Sequence, residues 1–191
     1  MNKGKITVCV AMVIVFFAAF QMNTKGYLLF APPLIEQEKI DERFELQSFQ
    51  LAQIEDLDIS KQKLKSDVIQ QLIAQKALTE KAKEKELEVT EKELETRMDE
   101  IMEQAQEYKD EDYGMGAFLK TQDLSFEEYF NQYMKEEIKT EMFIDKLQKE
   151  WFKEFDDARD YNDLEEKRQE VIDDFKAEHQ DEIERIKEEN L

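Results

Sequence analysis

His179 is the single histidine of the chain, so acid–base or metal chemistry near neutral pH would start there. It falls between Phe175 and Ile183 on an apolar stripe at helical spacing. No HxxxH partner accompanies it for a metal, and no serine or cysteine nucleophile stands beside it in sequence. That placement fits packing at the edge of a core. Carboxylate runs at Asp110-Glu111-Asp112, Asp156-Asp157 and Asp173-Asp174 could attract a hard cation. The first begins like a calcium loop, but Gly114 stands at the fifth position rather than the sixth, and Thr121 rather than Glu at the twelfth. With 47 acidic residues, adjacent pairs are expected on solvated faces. Cys9 is alone, which excludes an intrachain disulfide, a cysteine zinc site and a CxxC redox pair. No glycine-rich phosphate loop and no serine-nucleophile elbow occurs. We therefore assign no catalytic, cofactor-binding or metal-ligating residues and expect no cofactor.

The elements that would position any site are helices. The 191 residues carry a net charge of −20, 39% charged and 41% hydrophobic residues, with four Gly and two Pro. Few helix breakers among many strong helix formers point to long helices. Thirteen Phe and eight Met provide bulk for a core. The acidic balance argues against nucleic acid, because phosphate binding needs clustered Lys and Arg.

Lys3 and Lys5 precede an uncharged, mostly apolar run over residues 6–22. This has the form of a secretory signal or signal anchor, just long enough to cross a bilayer core of about 30 Å. The residues after Ala18 and Ala19 make a poor cleavage site, so an uncleaved anchor is the reading, with secretion after cleavage as the alternative. The positive flank predicts a single-pass membrane protein with its C-terminal part extracytoplasmic. Pro32 and Pro33 mark the joint between anchor and exported domain.

Residues 34–58 read as weakly helical. Ser60 is an N-cap for a helix whose apolar stripe runs through Leu64, Val68, Ile69, Leu72, Ile73, Leu78 and Ala82. Thr90 with Glu93 is a capping box that starts a second helix. Gly114 and Gly116 mark a turn before a short helix, and Ser125 with Glu128 is another capping box, opening a long aromatic-rich helix. From residue 161 one further long helix carries a narrow stripe of Leu164, Val171, Phe175, Ile183 and Ile186. The division expected is 1–33 for the anchor and proline linker, 34–160 for a helical domain, and 161–191 for a C-terminal helix packing on it.

Within "VIQQLIAQKALTEKAKEKELEVTEKEL" (68–94), Leu72, Ile73, Lys76, Leu78, Ala82, Leu87, Val89, Thr90, Glu93 and Leu94 resemble the N-terminal chaperone domain of SurA- and PrsA-type extracytoplasmic foldases. "AFLKTQDLSFEEYFNQYMKEEIKTEMFIDKL" (117–147) is similar to that family's second helical block, at the right distance. Together they cover residues 64–150. Two departures stand out. The family's helix-ending glycines are replaced by Glu86 and Asp123, and a left-handed cap is harder for Glu than for Gly. The parvulin isomerase domain is missing.

The fold expected is thus all-α: an N-terminal transmembrane or signal-anchor helix, then a SurA N-terminal-like chaperone domain with a long C-terminal helix. The resemblance implies ATP-independent holding of unfolded or newly exported polypeptides by an apolar cradle. Met98, Met102, Met115, Phe118, Phe126, Tyr129, Phe130, Tyr133 and Met134 are its candidate client-binding residues, against the plainer reading that most of them are core. The alternative function is a non-enzymatic scaffold for one dedicated envelope or membrane partner. There the C-terminal stripe would serve as a docking helix or as a seam for self-association.

Overall fold

The computed structural model describes residues 33–52, 59–106, 114–154 and 161–191. The chain divides after Glu36, and residues 37–191 form one compact unit. Its described residues contain eight α-helices and a π-helical turn, and no strand. They are α1 (Gln37–Ala52), α2 (Lys61–Glu84), α3 (Glu91–Ala105), α4 (Gly114–Gln122), α5 (Phe126–Tyr129), the π-turn (Phe130–Met134), α6 (Lys135–Glu154), α7 (Tyr161–Glu178) and α8 (Gln180–Asn190).

The long α2 is the organising element. The Ser60 hydroxyl accepts from the Lys63 backbone N–H at 3.2 Å and starts it. Leu64, Val68, Ile69, Ile73, Ala77, Leu78 and Ala82 are buried along one side. This stripe lets α2 pack against α1, α6 and α7. From α6 come the buried Ile138, Phe143, Leu147 and Trp151. Each large apolar side chain buried here contributes about 1.5–3 kcal/mol.

α2 ends in a Schellman cap. The Leu87 N–H donates to the Ala82 carbonyl at 3.0 Å and the Glu86 N–H to the Lys83 carbonyl at 2.9 Å. Glu86 is left-handed, with φ of 57°. The same backbone turn ends α4: the Leu124 N–H donates to the Leu119 carbonyl at 3.1 Å, and Asp123 has φ of 54°. Both positions thus adopt the backbone that glycine would favour, without a glycine.

α3 begins with the expected capping box. Glu93 Oε2 accepts from the Thr90 N–H at 2.8 Å, and Thr90 Oγ1 accepts from the Glu93 N–H at 3.3 Å. Lys146 of α6 then donates to Glu93 Oε1 at 2.7 Å and to the Glu88 carbonyl at 2.6 Å, tying that cap to α6. Lys146, then Thr90, hold the Glu93 carboxyl down at a pKa of about 2. Glu154 at the end of α6 is likewise held at about 2, by Lys167 of α7 and then Lys85.

The C-terminal stretch is two helices rather than one, because His179 leaves helical geometry with φ of −107° and ψ of 24°. The backbone ladder nevertheless bridges it: the His179 N–H reaches the Phe175 carbonyl, and the His179 carbonyl accepts from Ile183, each at 3.0 Å. The His179 ring rests on Phe175 at 4.4 Å between centroids. The buried stripe is Leu164, Ile172, Phe175, Ile183 and Ile186, with Ile172 in place of the expected Val171. Leu164, Phe175 and Ile186 recur every eleven residues, as do Ile172 and Ile183, a spacing of 3.67 per turn that keeps these residues on a common face through both helices. That face is turned to α2, which both α7 and α8 contact.

Four expectations are corrected here. Among the described residues no helix is long and apolar enough to cross a membrane, so the membrane-anchored fold, the membrane as a partner and the single-pass localisation are not retained. The apolar run 6–22 that prompted them lies outside the described residues. The C-terminal stripe is spent inside the chain and does not offer a docking helix or a seam for self-association. The carboxylates at 110–112 and 156–157, and Cys9, also lie outside the described residues.

Candidate functional site

The aromatic and methionine residues gather where α3, α4, α5 and the π-turn meet. Leu94, Met98, Phe118, Leu119, Tyr129, Phe130 and Ile138 form a buried cluster. Edge-on ring contacts link Phe118 to Tyr129 at 6.1 Å and Tyr129 to Phe130 at 6.0 Å. Phe49 of α1 closes one side, with its ring 5.5 Å from Phe118 and inclined at 66° to it. Such pairs add roughly 0.5–1.5 kcal/mol each beyond their buried area.

The local sequence explains the geometry. Ser125 and Glu128 cap the helix reciprocally: Ser125 Oγ accepts from the Glu128 N–H at 3.2 Å, and Glu128 Oε2 accepts from the Ser125 N–H at 2.9 Å. These bonds from Ser125 lower the Glu128 pKa and keep it charged. The helix then widens into a π-turn over Phe130–Met134 before α6 continues it. Phe126 packs on Phe130 at 4.7 Å, while Tyr129 and Tyr133 stack at 5.9 Å. Burial raises the Tyr129 pKa, Arg43 lowers it and Glu137 raises it again. Arg43 of α1 pairs with Glu137 of α6, whose other oxygen accepts from Gln75 of α2 at 3.0 Å. Three helices are thus fastened beside the cluster.

Of the nine candidate residues, Met98, Phe118, Tyr129 and Phe130 are buried in the cluster, and Met102, Phe126 and Met134 pack against it half-buried. Tyr133 is 40% exposed. Met115 belongs to α4, and its side chain lies outside what the structure describes. Among the described residues, Tyr133 and Leu191 are the large apolar side chains that stand exposed. A cradle for unfolded chains needs a broad apolar face open to solvent. The expectation of a chaperone holding unfolded or exported polypeptides is corrected on this ground.

One shallow cleft of about 270 Å³ opens beside the cluster, lined by Met102, Gln106, Ser125, Phe126 and Glu127. Met102 and Phe126 were candidates from the sequence. Gln106 and Glu127 were not, because they are exposed polar residues whose convergence depends on how α3 and α5 meet. Leu46 and Phe49, which pack against the cluster from α1, were also missed, since α1 carries only a loose apolar period.

No family model, curated protein or solved structure matches the chain.

Proposed function

We propose that the chain is a non-enzymatic helical scaffold that binds one dedicated protein partner. The observation that carries this reading is how the apolar side chains are used. They close on one another across α2, α6 and the aromatic cluster, and among the described residues the apolar surface left to solvent is small and local. A surface of that kind suits one shaped contact rather than many unfolded segments. The capped helix ends and the inter-helix ion pairs Arg43–Glu137, Lys135–Glu91, Lys146–Glu93 and Lys167–Glu154 support a body that stays rigid when it binds. The resemblance of residues 64–150 to the helical module of SurA- and PrsA-type proteins enters this proposal as a likeness of build. Its support is the left-handed backbone at Glu86 and Asp123, where that family carries glycine.

Tagged full-length protein, cross-linked in its native cells and purified, should retain one partner near equimolar amounts. The same protein should not suppress aggregation of several unrelated unfolded proteins. Trace recovery of many proteins together with broad suppression would overturn the scaffold reading, as would recovery of none.

A further inference from the structure

The cleft between the end of α3 and the start of α5 suggests what the partner must bring; this rests on the scaffold reading. We propose that the partner docks there through a basic segment that lays one apolar side chain on Met102 and Phe126.

The size of the cleft argues for a side chain. At about 270 Å³ it falls just below the roughly 300–1,000 Å³ typical of small-molecule pockets. Its floor is two half-buried, deformable or flat apolar groups, Met102 and Phe126, which are backed by the aromatic cluster. Its rim argues for positive charge. Glu127 lines it, and Glu103 stands one turn before Gln106 on the exposed surface of α3. Among the described residues neither carboxylate is in an ion pair, and the Gln106 side-chain amide makes no hydrogen bond, its backbone N–H alone being bonded, to the Met102 carbonyl. Ser125 and Glu128 are already committed to each other in the capping box, so the groups free to meet a ligand are Gln106 and Glu127. The positive end of the helix at residue 126 would repel a cation, but Glu127 and the charged Glu128 in its first turn outweigh about half a unit of positive charge. With a net charge of −20 over the whole chain, long-range attraction also selects a basic segment and repels an acidic one.

The test uses the full chain and labelled twelve-residue synthetic peptides read by fluorescence anisotropy. One peptide is lysine-rich with a central phenylalanine, one has glycine in its place, and one is glutamate-rich with the phenylalanine. The basic phenylalanine peptide should bind about tenfold or more tightly than either of the others. Glu127→Gln should weaken that binding about 2- to 5-fold, with the loss fading as salt is raised. Met102→Ala should cost about tenfold, while Met102→Leu, which keeps the volume, should bind as the unaltered chain does. Glu170→Gln, on the exposed face of α7, serves as the control that changes nothing. Equal binding of the phenylalanine and glycine peptides, or indifference to Glu127→Gln and Met102→Ala, would overturn the docking site. If those two variants still capture the cellular partner fully, the site is wrong and the scaffold reading stands. If the unaltered chain captures no partner, the scaffold reading itself falls.

Discussion

Replacing Glu86 by glycine should stabilise the protein, although it removes a charged side chain and introduces the most flexible residue. Glu86 sits at the left-handed position of the α2 cap, with φ of 57°. A non-glycine residue there costs roughly 1–2 kcal/mol from contact between Cβ and the following carbonyl. Glycine removes that cost but adds about 0.4–1 kcal/mol of unfolded-chain freedom. The net expectation is a gain of about 0.5–1 kcal/mol, or an upward shift in Tm of about 1–4 °C for a unit of this size. Asp123, at φ of 54°, tolerates the same conformation better because its short polar side chain can bond locally. Its replacement by glycine should therefore gain less. Gln70→Gly, exposed in the middle of α2, is the control and should lose about 1 kcal/mol. The assay is thermal and urea unfolding of the full chain followed by circular dichroism, with the urea slope constant across variants. A lower Tm for Glu86→Gly would refute the argument, because the left-handed strain would then be absent or outweighed by contacts of the Glu86 side chain.

The buried hydroxyl of Thr79 on α2 has no hydrogen-bond partner, so Thr79→Val should raise stability by about 1 kcal/mol in the same unfolding assay. Stability should also pass through a maximum as the pH is lowered, read as Tm from pH 7 to 2. Partial desolvation, with the neighbouring carboxylates Glu38 and Glu45 for Glu42 and Glu137 and Asp145 for Glu141, raises the pKa of these two exposed residues above 4.5, so they favour the fold when protonated and oppose it as pH rises through their folded values; acidification from neutrality should therefore raise Tm. Glu93 and Glu154 are held at about 2, so their contribution is present above the ordinary carboxylate value of 4.5 and is lost as pH falls from there toward 2. A Tm that falls steadily from neutral pH downward would refute this assignment.

What the sequence disclosed depended on how local each cause was. The caps at Ser60, Thr90–Glu93 and Ser125–Glu128 are each set by residues three apart, and the structure has all three. The α2 stripe was legible for the same reason, since helical spacing alone decides which residues share a face. The cap at Glu86 shows where that reading stops. Its place follows from the end of the apolar stripe, but its backbone is left-handed because the turn must return the chain toward α3, which outweighs the preference of a single glutamate. The π-turn at Phe130–Met134 had no sequence signal that separates it from an ordinary helix.

The candidate site depended on contacts far apart in the chain. Periodicity places Phe118, Tyr129 and Phe130 on apolar faces, but it cannot say whether another helix covers those faces. Phe49 decides the matter at Phe118, and it comes from α1, whose own apolar spacing is too irregular to announce a partner. An aromatic-rich helix therefore reads the same whether it lines an open groove or a closed core. The difference lies in one weakly amphipathic helix placed over it. Gln106 and Glu127 fall outside the sequence reading in the opposite sense. Each is an unremarked polar residue alone, and each gains a role because the end of α3 meets the start of α5 beside Met102 and Phe126. A partner that recognises this chain would be reading that juncture, in which the apolar floor is inherited from the core and the charge comes from residues the core does not need.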